Sequence, residues 1–369
     1  LRSGQLVRAT STLGEITEIN WTTSTRFDNT TSTGIQGLPF AMTVADRLSR
    51  ADGRGNVLIT EVDYAGGLFE DRGLRGFGWV EQKQSIGLRR ETRFYQDEAR
   101  STQPLQIIDF DSDNQVRKRI TVVMETVSGG PGITQVRMAS TDNERFDPGG
   151  FSHTTVTNSY DDRIQPLTVT RDAEVSKPGD ERTTVVTWAR NDAVGIWGLP
   201  VRNQVFNAGG DLMSESVTLY DGLPQGEVLK GLPSASREMV EPGVYLTRSV
   251  FYDDYGNPNR LRDRTGQEVT FTYDAATSTF RVRSENAYGH VTRSEYDPRF
   301  GILVRNENTS GNVTTTELDA FGRISLVVAP GDETSAYGST SFLYSDLGDP
   351  QDQYIYMTAT ETADTAEVF

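Results

Sequence analysis

Apolar and polar residues alternate in short runs along most of this chain, a pattern typical of strands with one wet face. Val269–Tyr273 and Val291–Tyr296 are clear examples, rich in the β-branched and aromatic residues that fit a pleated surface. Asn56–Val62 indicates a further strand nearer the start. The sequence has no long apolar stripe with the 3.6-residue period of a helix. The pattern predicts an all-β chain that forms an antiparallel sheet.

Three segments in the last third of the chain repeat one arrangement of residues. Each begins with a glycine and reaches, seven residues later, a Tyr or Leu that is followed by Asp. The segments are Gly266–Asp274, Gly289–Asp297 and Gly311–Asp319. With the earlier Tyr252, the key positions Tyr252, Tyr273, Tyr296 and Leu318 are spaced by 21, 23 and 22 residues. Such a period indicates units that bury their faces only against neighbouring units.

Each unit is predicted to be a β-hairpin with Asp and Gly turns. Asp accepts hydrogen bonds from backbone amides two residues on, and Gly adopts positive φ without a Cβ clash. We expect Tyr252, Tyr273, Tyr296 and Leu318 on adjacent strands of one sheet, largely buried and stacked along it. The predicted structural residues of the repeats are Tyr252, Asp253, Gly256, Gly266, Tyr273, Asp274, Gly289, Tyr296, Asp297, Gly301, Gly311, Leu318, Asp319 and Gly322.

These units resemble the YD-repeat or Rhs-repeat family. That family includes bacterial Rhs polymorphic toxins, the B and C components of insecticidal toxin complexes, and the teneurins. The match is carried by the three segments above and by Tyr252–Pro258, over about residues 240–325. Looser units precede it at Phe110, Tyr160 and Tyr220, each followed by Asp. The resemblance implies a curved, spiralling antiparallel sheet of hairpins that forms part of a hollow shell.

The N-terminal part of the chain carries a second resemblance. Leu38–Val44, Asp52–Asn56, Tyr64 and Leu74–Glu81 look like the middle region of toxin-complex B components. We therefore expect a β-rich lead-in of this kind at residues 1–100, degenerate hairpin repeats at 101–240 and YD repeats at 241–369. The sequence starts at Leu1, with neither an initiator Met nor a signal peptide. We therefore expect it to be a piece of a longer polypeptide.

Composition and charge exclude several classes of function. The 369 residues include no cysteine, which rules out disulfides, thiolate nucleophiles and cysteine-based metal sites. A net charge of −16 argues against binding to nucleic acid or to an anionic membrane, because both need a basic surface. The surplus of acidic residues could instead keep a large β surface soluble. Alternatively, an acidic lumen could hold a cationic cargo.

Candidate catalytic and metal-binding residues are few. His153 and His290 are the only histidines, and His290 is interpreted as a polar turn residue. Gly73–Gly78 has its glycines in the wrong order for a phosphate-binding loop. Asp109, Asp111 and Asp113 resemble the start of a calcium loop, but the required Gly and Glu are missing, so we favour a hairpin tip, with weak calcium binding as the alternative.

The expected function is therefore structural. The resemblance implies that the chain is a shell segment of a bacterial secreted toxin that encloses a C-terminal toxin polypeptide for delivery, and we expect neither enzymatic activity nor a cofactor. Its expected partners are the rest of the same polypeptide, a second shell or pore component and the enclosed toxin, with no nucleic acid and no membrane contact by this segment. Secretion or a bacterial cell-surface location follows from the resemblance.

Two alternatives stay open from the sequence. The first is an extracellular adhesin or carbohydrate-binding surface built on the same repeats, which exposed aromatic pairs at strand tips would favour. The second is a hidden carboxylate pair of the kind that glycosidases use. The Asp-Pro pairs that begin at Asp147, Asp297 and Asp349 are interpreted as turns. Since they do not assemble the self-cleaving core of the family, neither protease nor toxin is expected in this segment.

Overall fold

The computed structural model describes residues 5–11, 14–30, 34–71, 73–334, 339–345, 353–362 and 365–368. Within these residues the only helix is a single 3₁₀ turn at Ser24–Arg26, and the rest consists of strands and turns. The predicted all-β class is therefore confirmed. Asp349, at one predicted turn, lies outside the described residues.

Twenty-six strands follow one another in the part of the chain that the structure describes. The first twelve are β1 (Arg8–Thr10), β2 (Ile16–Thr23), β3 (Thr43–Ala51), β4 (Val57–Glu70), β5 (Gly73–Gln84), β6 (Arg89–Phe94), β7 (Pro104–Phe110), β8 (Val116–Gly130), β9 (Ile133–Asp147), β10 (Gly150–Tyr160), β11 (Pro166–Asp172) and β12 (Arg182–Asn191). The others are β13 (Ile196–Asn207), β14 (Leu212–Tyr220), β15 (Pro233–Glu241), β16 (Val244–Tyr252), β17 (Pro258–Arg262), β18 (Glu268–Tyr273), β19 (Arg281–Glu285), β20 (Val291–Asp297), β21 (Ile302–Glu307), β22 (Val313–Leu318), β23 (Ile324–Val328), β24 (Thr340–Ser345), β25 (Tyr354–Thr362) and β26 (Thr365–Val368).

The chain divides into two compact units. One consists of Leu1–Trp188 with Arg202–Glu215, and the other of Ala189–Val201 with Ser216–Phe369. In the first unit each strand from β1 to β12 pairs antiparallel with the next. In the second unit the same holds from β14 to β26. The expected three-part division at residues 100 and 240 stays a prediction.

Fully buried side chains are scarce in both units. The second unit has a small core of Ala189, Val201, Tyr220 and Val228. From β16 to β24 no strand residue is fully buried. Each hairpin in this region therefore depends on its neighbours in the sheet for what burial it has.

Candidate functional site

The candidate site is the series of hairpin turns that bears the repeat residues. In eight hairpins the strand register shifts by one residue immediately before the aromatic or leucine position, because the following strand carries one extra residue. Such bulges increase local twist and bend the strand that contains them. The eight positions are Phe94, Phe110, Tyr160, Tyr220, Tyr252, Tyr273, Tyr296 and Leu318. The same geometry thus extends well upstream of the segment where the sequence motif is clear.

The expected placement of the four key residues was wrong in two respects. Tyr252, Tyr273, Tyr296 and Leu318 lie on β16, β18, β20 and β22, so they occupy every second strand and not adjacent ones. They are half-buried, not largely buried. The reason is that each unit is a whole hairpin of two strands, and no second layer covers these strands within the described residues.

Tyrosine hydroxyls tie successive hairpins together. The hydroxyl of Tyr252 donates a hydrogen bond to the carbonyl oxygen of Pro233 over 2.8 Å. The hydroxyl of Tyr273 donates in the same way to Pro258, over 3.0 Å. Pro258 is itself the register partner of Tyr252. The tyrosine of one hairpin therefore bonds the strand that pairs with the tyrosine of the preceding hairpin.

The same link occurs outside the clear repeats. Tyr220 donates to the carbonyl of Pro200 over 2.9 Å, and the indole N–H of Trp188 donates to Pro166 over 2.8 Å. Sequence reasoning missed this role of proline. The available signal was a proline at the first residue of a strand, where the missing N–H costs no ladder bond, as at Pro166, Pro233 and Pro258; Pro200 lies within β13.

The aspartates after the aromatic positions cap turns. Asp253 Oδ1 accepts the backbone N–H groups of Tyr255 and Asn257, both over 2.9 Å. Asp319 does the same for Phe321 and Arg323. Asp274 accepts three backbone N–H groups, and Asp297 accepts that of Arg299 while also pairing with its guanidinium.

These contacts shift the titration of the aspartates. For Asp253, burial raises the pKa, but hydrogen bonds from Asn257 and Tyr255 outweigh burial and hold the pKa below its usual value. The backbone N–H of Phe280 is the main cause that lowers the pKa of Asp274. In both residues the ionised carboxylate is therefore the form that the turn stabilises.

The turns at the opposite ends of the strands use a residue that sequence reasoning overlooked. Gly266, Gly289 and Gly311 have φ of 87°, 77° and 82°, in the left-handed region that suits glycine. Three residues before each of them stands an Asp or Asn whose side chain accepts the amides two and four residues on. These residues are Asp263, Asn286 and Asn308. Their constant spacing from the glycine was the signal for them.

The glycines of the Asp turns also make room for side chains of the preceding turn. Gly256, Gly301 and Gly322 have φ of 88°, 68° and 79°. A Cβ on Gly322 would lie 2.5 Å from the ring of Phe300, and one on Gly301 would lie 3.6 Å from Phe280. Phe280 in turn stacks on Tyr296 with ring centroids 5.1 Å apart. The turns thus pack in series along one edge of the sheet.

In the lead-in, a loop closes over the glycines of β4. Asn29 is only 1% exposed, and its side chain donates to the carbonyls of Ser24 and Phe27 and accepts the N–H of Gly67 over 3.0 Å. A Cβ on Gly67 would lie 2.5 Å from Asn29 Oδ1 and from Leu38 Cδ1. The packing of the loop therefore requires glycine at position 67.

The candidate metal and catalytic residues have structural contacts. Asp109 pairs with Arg90, and Asp111 caps the β7–β8 turn while bonding Arg117 over 2.6 Å, so the hairpin tip is confirmed. Among the described residues no group of three or more His, Asp or Glu is arranged to hold a metal ion.

The two histidines lie in different units. His153 contacts Asp142 over 3.3 Å, and the backbone N–H of His290 donates to the Asn286 side chain within a turn.

No helix in the described part of the chain is long and apolar enough to cross a membrane.

Comparison with known proteins finds one matching family model and several solved structures of similar fold. A family model described as the insecticide toxin TcdB middle/N-terminal region matches residues 2–106. The crystal structure of TcdB2-TccC3 is 13% identical, with 96% of this chain and 28% of that chain covered at a TM-score of 0.73. The crystal structure of TcdB2-TccC3-Cdc42 is 14% identical, with 86% and 24% covered at 0.69.

A third similar structure is the Photorhabdus luminescens Tc holotoxin pore, at 14% identity, 95% and 24% coverage and a TM-score of 0.68. No curated protein sequence matches the chain. The chain spans about a quarter of the length of these solved chains, and the likeness to them concerns the fold. With the family match over residues 2–106, these findings confirm the resemblance to the toxin-complex family that the sequence motifs indicated.

Proposed function

We propose that this chain is a wall segment of a bacterial toxin-complex shell that encloses a C-terminal toxin polypeptide for delivery. The observation that carries the proposal is the series linkage of hairpins by tyrosine hydroxyls and proline carbonyls, as in Tyr252 with Pro233 and Tyr273 with Pro258. Because each hairpin is completed only by its neighbours, the arrangement extends a wall and does not close a compact core.

The wall role is proposed to involve no catalysis and no cofactor. The carboxylates that sequence analysis singled out in the repeats are engaged by turn amides or arginines, as for Asp253 and Asp297. Each is thus held as a structural acceptor. The observation supports a structural role for these groups.

The partners and location of the segment belong to the same proposal. The solved relatives contain TccC3, and one of them is described as a holotoxin pore. We propose that this segment works within the longer polypeptide, with a second shell or pore component and an enclosed toxin, after secretion from a bacterium.

Limited proteolysis of the complete polypeptide, assembled with its partner component, tests enclosure. The C-terminal toxin polypeptide should resist protease in the native assembly and be degraded rapidly once the assembly is denatured. The same toxin polypeptide produced alone is the matched control and should be degraded at once. Equal degradation in the native and denatured assemblies would contradict enclosure.

One observation favours a second candidate, an adhesive or carbohydrate-binding surface. Tyr255 and Phe321 are 78% and 77% exposed at hairpin tips, where an aromatic ring is available for stacking. They stand singly at separate tips, not as a pair. Glycan binding that is lost in Tyr255→Ala and Phe321→Ala, but kept in the matched tip variant Thr309→Ala, would support this candidate. An absence of glycan binding by the intact protein would contradict this candidate.

A further inference from the structure

The two faces of the sheet differ in charge over strands β20 to β22. Side chains alternate between faces along a strand, and register pairs lie on the same face. Arg293 pairs with Glu307 and Glu295 with Arg305, which defines one side, the ionic face. Glu317 lies on the same side, because Thr315, two residues before it, is the register partner of Arg305. The opposite side, the hydroxyl face, comprises Thr292, Ser294, Tyr296, Leu303, Asn306, Thr314, Thr316 and Leu318.

The ionic face is laced with ion pairs of both signs. Arg293 contacts Glu307 over 2.9 Å, and Arg305 contacts Glu295 over 3.5 Å and Glu307 over 3.4 Å. The Glu295 side chain remains 65% exposed. Such charges retain much of their hydration, so they suit contact with bulk water.

The hydroxyl face carries no charged side chain among the described residues of β20 to β22. Its polar groups bond one another: Ser284 on β19 and Thr292 share a hydrogen bond of 2.6 Å, and Ser294 donates to Asn306 over 3.2 Å. On this face Leu303 is exposed, and Tyr296 and Leu318 are half-buried. Over β20 to β22 the face therefore offers no fixed charge to a ligand.

A sheet face without charged side chains is less protected from association with another sheet in open solvent. Inside a closed shell the same properties are useful over β20 to β22, because an unfolded polypeptide of any sequence meets no charge on these strands that would hold it. The ionic face would instead bind charged segments of the enclosed polypeptide and would do so differently for each sequence.

We propose that the hydroxyl face lines the enclosed space and contacts the unfolded toxin polypeptide, while the ionic face meets bulk solvent. The inference rests on the proposed shell function and adds which side of this segment is inside and what chemistry the cargo meets there. The occupant is an extended polypeptide, held without sequence-specific contacts.

Neighbouring residues on opposite faces provide the test. Ser294→Cys and Glu295→Cys are introduced separately into the complete polypeptide, which is assembled with its partner and treated with a bulky PEG-maleimide. This segment contains no cysteine, and the unsubstituted assembly sets the background of the labelling. Labelling should be lost for Ser294→Cys and retained for Glu295→Cys, and denaturation should expose both. Thr316→Cys and Glu317→Cys repeat the comparison on β22 should the first pair fail to assemble.

Each other outcome overturns part of the argument. Protection of Glu295→Cys alone reverses the faces while leaving enclosure intact. Protection of both shows that the ionic face is also covered, which overturns the assignment. Equal labelling of both in a correctly assembled sample contradicts enclosure itself, and with it the proposed function.

The occupant is tested with a photo-crosslinking amino acid at Thr314 on the hydroxyl face and, as control, at Glu317 on the ionic face. Crosslinks from position 314 to the toxin polypeptide support the proposal. Crosslinks from position 314 only to other shell segments, or toxin crosslinks from position 317 alone, overturn it.

Discussion

The hydroxyl of Tyr252 donates a hydrogen bond to the carbonyl oxygen of Pro233, which lies in the preceding hairpin and is the register partner of Tyr220. Tyr220 in turn donates to Pro200. Each tyrosine thus satisfies a carbonyl of the hairpin before it. Together with the hydrogen bonds of the strand ladder, the tyrosine bond sets the offset between successive hairpins.

Tyr252→Phe should weaken this joint while keeping the ring in place. Loss of the hydroxyl leaves the Pro233 carbonyl without its donor, at a cost of about 1 kcal/mol. Hydrogen exchange at the ends of β15 and β16 in the intact protein should accelerate. Tyr255→Phe, at an exposed hairpin tip, is the matched control and should leave exchange unchanged. Equal effects of the two variants would contradict a linking role for Tyr252.

Gly322→Ala should destabilise its turn more than Gly311→Ala does. Both glycines have nearly the same φ, 79° and 82°, so each alanine carries a strain of about 1 kcal/mol. Only the Cβ at Gly322 also meets a side chain, that of Phe300, which adds about 1–3 kcal/mol of overpacking. Denaturant unfolding measures the difference. Adding Phe300→Ala should relieve Gly322→Ala but not Gly311→Ala, and a strictly additive result would refute the packing argument.

Acid should loosen the Asp turns. The folded-state pKa of Asp253 lies below its unfolded value of about 3.9, so its stabilisation is present above about pH 4 and is lost as pH falls through the folded pKa. Hydrogen exchange of the Tyr255 and Asn257 amides, corrected for intrinsic rates, should rise in that range. Asp253→Asn should remove this response. Asp254→Asn makes the same change in charge one residue away and should preserve it; if it abolished the response too, the turn bonds would not be the cause.

Asn29→Ala should destabilise the lead-in strongly. The substitution leaves the N–H of Gly67 and the carbonyls of Ser24 and Phe27 without their partner in a buried site, at a cost of about 3 kcal/mol. Thermal unfolding measures the loss. Asn56→Ala removes a side chain that bonds Asp52 in an exposed turn and should cost less than about 1 kcal/mol. Comparable losses in the two variants would contradict the role of Asn29.

The sequence by itself determined the class of fold and the chemistry of the turns. Asp253 bonds amides two and four residues away, and Gly311 needs only its own positive φ. Such features depend on a few neighbouring dihedral angles, so residue type and spacing reveal them. The alternation of apolar and polar residues likewise follows from the two-residue period of a strand.

Only the tertiary structure decided which distant residues meet. Pro233 is 19 residues from Tyr252, and Phe300 reaches Gly322 from the preceding turn. These contacts require the register of several strands, including the bulge before each tyrosine, which no short-range pattern specifies. The half-burial of Tyr273 has the same origin. A side chain that suits a core can be predicted from its type, but whether anything covers it depends on what the rest of the sheet places above it.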